Sequence, residues 1–138
     1  MHTHTIECNW QEAMQFSATV NGHTLILDAE AEFGGQDKGP RPKPLLLVSL
    51  AGCTAMDVIA ILRKMKLEVK SFKVKVDGEL TEEHPKTYRK IHIAYILSGD
   101  LPAEKVEHAV NLSREKYCGV NAMLNKVSEV TYSIEIHP

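Results

Sequence analysis

The stretch Leu45-Leu46-Leu47-Val48-Ser49-Leu50-Ala51-Gly52-Cys53-Thr54-Ala55-Met56-Asp57-Val58-Ile59-Ala60-Ile61-Leu62 decides how this chain folds. Pro44 precedes it and suits the first position of a helix, where the missing N–H costs nothing. Arg63, Lys64 and Lys66 follow it and suit the negative end of the helix dipole, so a helix is expected to about Lys66. Its length reaches the lower edge of a bilayer span. Asp57 lies inside it, however, Ser49, Gly52 and Thr54 dilute it, and no second span or aromatic belt accompanies it. A helix apolar on every side in a soluble chain is a buried central helix.

Outward from that helix the pattern changes to period two. Upstream, Met14, Phe16, Ala18 and Val20 alternate with polar residues, Asn21-Gly22 intervenes, and Leu25 and Leu27 alternate again. Asn-Gly between alternating runs marks a hairpin, because both turn positions need positive φ. A weaker strand pattern runs through Thr5-Ile6-Glu7-Cys8, and the glycines and prolines between Gly34 and Pro44 mark a loop. Downstream, Phe72, Val74 and Val76 alternate with lysines. Asp77-Gly78 offers a turn, but Glu83-His84-Pro85 is the better place for one, since Pro85 cannot donate to a ladder. Ile91, Ile93, Tyr95 and Leu97 form the return strand. Pro102 opens a helix whose inner face is expected at Val106, Ala109, Val110, Ser113 and Tyr117. A short helix after Gly119 and a last strand through Val130, Tyr132, Ile134 and Ile136 complete the chain.

Strands and helices segregated in this way indicate an α+β fold, with antiparallel sheets around the long buried helix. Amphipathic strands cover one face of a helix that is apolar all round. A second copy of the chain is the simplest cover for the rest, which predicts a homodimer.

The chain has 138 residues, enough for one domain spanning 1–138 with its own core. Apolar residues make up 43% and charged residues 25%, which excludes disorder and fibrous repeats. Sixteen Lys and Arg against 18 Asp and Glu leave a net charge of −2, so neither a nucleic acid nor a membrane surface is an expected partner. The first residues lack the basic start and apolar run of a signal peptide, and three cysteines are too few for a disulfide scaffold. Both observations point to a cytoplasmic protein with free thiols.

Chemistry must then come from where the three sulfurs sit. Cys53 lies mid-helix, far from the N-terminal dipole, with Asp57 one turn along the same face; an apolar site and a nearby carboxylate both raise a thiol pKa. Cys118 lies in Glu115-Lys116-Tyr117-Cys118-Gly119. At the start of the next short helix, N–H groups together with Arg114 and Lys116 would favour its thiolate. Cys8 with His2 and His4 shares one strand face, but no second ligand pair with zinc-like spacing exists. The other histidines are scattered, and no Walker, GxGxxG-type or GxSxG motif is present, so nucleotide binding has no support.

Taken in order, Pro42-Lys43-Pro44-Leu45-Leu46-Leu47 leading into Leu50–Val58, then Glu83-His84-Pro85-Lys86 and Lys116-Tyr117-Cys118-Gly119-Val120, resemble the OsmC/Ohr superfamily of osmotically inducible and organic hydroperoxide resistance proteins. The resemblance covers nearly the whole chain. It implies an intertwined α+β homodimer with active sites at the dimer interface, and thiol-dependent reduction of organic hydroperoxides. By that resemblance Cys53 matches the peroxidatic cysteine and Cys118 the resolving one, with an external dithiol as reductant and no cofactor. The chain departs from typical members at Lys43, where they place a glutamate, and in having no arginine in residues 1–40. With Asp57, these departures bring it closest to the YhfA-like branch. The alternative function is an OsmC-fold small-molecule-binding or redox-sensing protein without efficient turnover.

Overall fold

Asn21 and Gly22 have φ of 52° and 79°, and Val20 pairs with His23 across them, the two-residue hairpin expected of Asn-Gly. It joins strands β2 (Gln15–Val20) and β3 (His23–Leu27), and β1 (Glu7–Glu12) adds antiparallel to β2, giving the order β1-β2-β3. The β1–β2 turn places Ala13 at a φ of 48°, and the Trp10 Nε1–H donates to its carbonyl at 2.8 Å.

The glycine- and proline-rich loop after β3 is organised by Asp28. Its carboxylate accepts backbone N–H groups from Ala29, Gln36 and Lys38, while its own N–H donates to the Pro40 carbonyl. The Ala29 N–H is the main reason its carboxyl titrates below the ordinary range, with burial opposing the shift. A 3₁₀ turn (Ala31–Phe33) lies inside this loop.

The computed structural model describes all residues, Met1–Pro138, as two compact units, Met1–Leu46 and Leu47–Pro138. Helix α1 (Leu45–Lys64) starts at the end of the first and runs through the second, closing two residues before the sequence suggested, with Lys66 at a φ of 60°. In the second unit β4 (Ser71–Leu80) and β5 (Tyr88–Ser98) form an antiparallel hairpin. The turn falls at Glu83-His84-Pro85, and Asp77-Gly78 stays in the strand. Gly78 is required there because the Tyr88 ring lies over it: a Cβ would sit 2.7 Å from the ring.

Helix α2 (Ala103–Leu112), a π-helical turn (Ser113–Tyr117) and α3 (Gly119–Leu124) carry the chain to β6 (Glu129–His137). That strand pairs parallel to β5, Lys90 opposite Glu129 through Ser98 opposite His137. The expectation of purely antiparallel sheets is corrected here. A helical crossover returns the chain to the end of the sheet where β5 began, so the new strand must run alongside β5 in the same direction.

The core of this unit joins Leu50, Val58 and Leu62 of α1 to Ile91, Ile93 and Leu97 of β5 and to Val106 and Val110 of α2. Residues 50, 54, 58 and 62 are the fully buried positions of α1, a stripe spaced by four. Within one chain α1 is therefore covered on one face, with Val48 62% and Met56 72% exposed, rather than buried all round.

The inner face of α2 is correct at Val106, Ala109, Val110 and Ser113, all fully buried, but Tyr117 is 53% exposed. The π turn inserts one residue into the helical register. Tyr117 is carried outward and Cys118, the next residue, turns inward and is buried.

Candidate active site

Two hydroxyl residues interrupt otherwise apolar faces: Thr54 in the buried stripe of α1 and Ser113 at the end of α2, both fully buried. A buried hydroxyl without a partner is costly, so each must be hydrogen-bonded. Thr54 Oγ1 lies 2.7 Å from the Tyr95 hydroxyl on β5 and 2.8 Å from Ser113 Oγ. Ser113 donates to Asp57 Oδ2 at 2.9 Å. A serine has a single hydroxyl proton, so the bond to Asp57 sets the direction of the rest. Tyr95 donates to Thr54, Thr54 to Ser113 and Ser113 to Asp57. Burial pushes the Tyr95 hydroxyl up, keeping its proton available at the head of the chain.

This chain of hydroxyls ends beside both candidate cysteines. Cys53 Sγ, Cys118 Sγ and the Asp57 carboxylate oxygen lie within 4.8 Å of one another. Cys53 and Asp57 share one face of α1 because they are four residues apart. Cys118 is brought to them at the N-cap of α3, where its Sγ accepts the Asn121 N–H at 3.3 Å.

The cap position predicted from the sequence is therefore correct, but its electrostatic consequence is reversed. Burial pushes the Cys118 thiol up from its ordinary value of 9.0 to about 11, against the lowering effect of the Asn121 N–H; the hydrogen bond to Cys53 and the negative charge of Asp57 push the same way as burial. Arg114 does not turn to the thiol. Its guanidinium stacks over the Tyr132 ring at 4.2 Å from the centroid, and Tyr132 meets Tyr95 edge-on at 6.5 Å. Lys116 lies over Tyr117, which is exposed.

Cys8 is exposed on β1, and His2 and His4 lie before that strand, outside regular secondary structure. His92 is held between Thr131 and Ser133 on the outer face of the second sheet. Sequence reasoning brought out Cys53, Cys118 and Asp57 but treated Asp57 only as a neighbour of Cys53, and it missed Thr54, Ser113 and Tyr95. The available signal was the two hydroxyls on apolar helical faces, each of which demands a buried partner.

Comparison with known proteins shows the family and the fold. A family model for OsmC-like proteins matches residues 35–133. Protein YhfA of Escherichia coli K12 is 36% identical over 129 residues, covering 92% of this chain and 93% of that protein. The crystal structure of a hypothetical protein from Aquifex aeolicus VF5 superimposes with a TM-score of 0.84 at 31% identity, with both chains covered in full. An organic hydroperoxide resistance protein OsmC from Legionella pneumophila, also described as a predicted redox protein, shares the fold at a TM-score of 0.69 and 17% identity, with 98% of each chain covered. The α+β order, the long helix carrying Cys53 and the match running through Cys118 thus have one common explanation: the chain belongs to the OsmC-like family.

Proposed function

We propose that this protein is a thiol-dependent peroxidase that reduces organic hydroperoxides in defence against oxidative stress. The observation that carries the reading is the approach of Cys53 and Cys118, 65 residues apart in sequence, to within 4.8 Å at their sulfurs. The hydroperoxide resistance protein of Legionella pneumophila, which has the same fold, supports the substrate class.

In the first step the Cys53 thiolate attacks the O–O bond of ROOH. The terminal oxygen passes to sulfur as Cys53–SOH, and the alkoxide takes up a proton and leaves as ROH. Sulfur is oxidised by two electrons and the peroxide reduced by two. Cys118 then attacks the sulfenic sulfur, its proton leaving with the sulfenic hydroxyl as water, and a Cys53–Cys118 disulfide forms. An external dithiol reduces the disulfide by exchange and becomes a disulfide itself. The cycle calls on no organic or metal cofactor. The reading places the protein in the cytoplasm, where dithiol reductants are plentiful. Its working unit is a homodimer in which a second copy covers the exposed apolar positions of α1.

Incubation with an alkyl hydroperoxide and a dithiol tests the reading: the wild type consumes peroxide and Cys53→Ser does not. Equal rates in the two proteins overturn it. The raised Cys118 thiol and Lys43 favour a second reading, a binding or sensing protein of the same fold with little turnover. In that case Cys53 alkylates slowly at neutral pH, and rapid alkylation by a Cys53 thiolate excludes it.

A further inference from the structure

We propose that the reduced protein binds one soft divalent metal ion, of the zinc type, through Cys53 Sγ, Cys118 Sγ and the Asp57 carboxylate. Three donors of metal-binding type, all within 4.8 Å of one another, come from two places far apart in sequence, Cys53 and Asp57 from α1 and Cys118 from the N-cap of α3. In a tetrahedral zinc site, Zn–S near 2.3 Å and Zn–O near 2.0–2.2 Å place the donors about 3.5–3.8 Å apart, so no pair, at 4.8 Å or less, needs to close by more than about 1.3 Å. Two sulfurs and one oxygen form a borderline-soft set that selects zinc-type ions over magnesium or calcium. Three protein ligands leave the fourth position for water.

The outer shell is also in place. Metal-ligating carboxylates are themselves hydrogen-bonded, and Asp57 Oδ2 receives Ser113 at the end of the Tyr95–Thr54–Ser113 chain. Cys118 receives the Asn121 N–H, and the same asparagine has its Oδ1 buried without a donor. Three potentially anionic groups face one another here, and Arg114, the nearby cation, is committed to the Tyr132 ring. A divalent ion supplies the missing positive charge, displacing to solvent the protons that the thiols carry. This inference stands on the donor geometry and is independent of peroxidase activity.

The test is an anaerobic Co²⁺ titration of the full, reduced protein, followed by competition with Zn²⁺. The expected result is one Co²⁺ per chain, with the intense visible bands of a tetrahedral site, a sulfur-to-cobalt charge-transfer band in the near ultraviolet, and loss of both on adding Zn²⁺. Cys118→Ser and Asp57→Asn are each expected to weaken binding by more than about 100-fold, since loss of an outer-shell partner alone costs about 10–100-fold. Cys8→Ser leaves the titration unchanged. A six-coordinate, weakly coloured spectrum in the wild type overturns the site, as does a charge-transfer band that disappears with Cys8→Ser. Asp57→Asn alters no core packing, so it decides the question if Cys118→Ser does not fold. No peroxide enters the titration, so its failure and a failure of the peroxidase assay are separate results.

Discussion

At Cys118 a helix N-cap and a desolvated site compete for the same proton. The cap hydrogen bond from Asn121 favours the thiolate, but burial and the Asp57 charge win, and the thiol is pushed to about 11. The folded protein therefore holds this proton more tightly than the unfolded chain, whose cysteine has the ordinary value of 9.0. The resulting stability is fully present below pH about 9 and is lost as pH rises through about 11. Denaturant unfolding across that range is expected to show falling stability in the wild type and a flatter profile in Cys118→Ser. Thr54 makes a second residue-scale prediction. Thr54→Val keeps the shape but removes the link between the Tyr95 and Ser113 hydroxyls, leaving the buried Tyr95 hydroxyl without that partner while Ser113 keeps Asp57. A loss of about 1–3 kcal/mol is expected, read from the midpoint of urea unfolding. Neither consequence is visible in sequence: the fate of a buried proton depends on what lies across the core, and Tyr95 and Ser113 are 41 and 59 residues from Thr54.

Among the elements, those whose patterns are local were legible. The Asn21-Gly22 hairpin, the long helix, the turn at Glu83-His84-Pro85 and the last strand all appear where turn chemistry and periodicity place them. Gly78 shows how a turn-like dipeptide is overruled. Asp77-Gly78 resembles a turn in sequence, yet the ring of Tyr88 from the partner strand occupies the space of a side chain. Gly78→Val is expected to cost about 1–3 kcal/mol by overpacking, measured as a lower midpoint of thermal or urea unfolding with the fold retained. The π turn was not legible, because its extra residue is a property of hydrogen bonding and leaves no mark in composition. Its consequence is large. It exchanges Tyr117 for Cys118 on the inner face and so brings the second sulfur to the site. The parallel pairing of β6 was illegible for a related reason, since alternation specifies a strand but not its direction.

For the molecule as a whole, α1 is long and apolar enough by composition to cross a membrane, yet in this fold its buried stripe packs into the core of the second unit. Only 22% of its apolar stretch is buried in one chain. The proposed homodimer makes a direct prediction from that exposed surface. Met56→Glu places a charge at an exposed apolar position of α1 and is expected to shift sedimentation velocity from dimer toward monomer, whereas a wild type that sediments as a monomer removes the dimer from the proposal. By itself the sequence determined the α+β class, the order of most elements, the family pattern and which two cysteines fall within it, because each rests on local periodicity or on motifs read in line. Only the tertiary structure decided that Cys53, Cys118 and Asp57 meet, that three hydroxyls are ordered toward the carboxylate, and that Cys118 holds its proton rather than losing it. Proximity and desolvation arise between segments distant in the chain, and they exist only once the chain is packed.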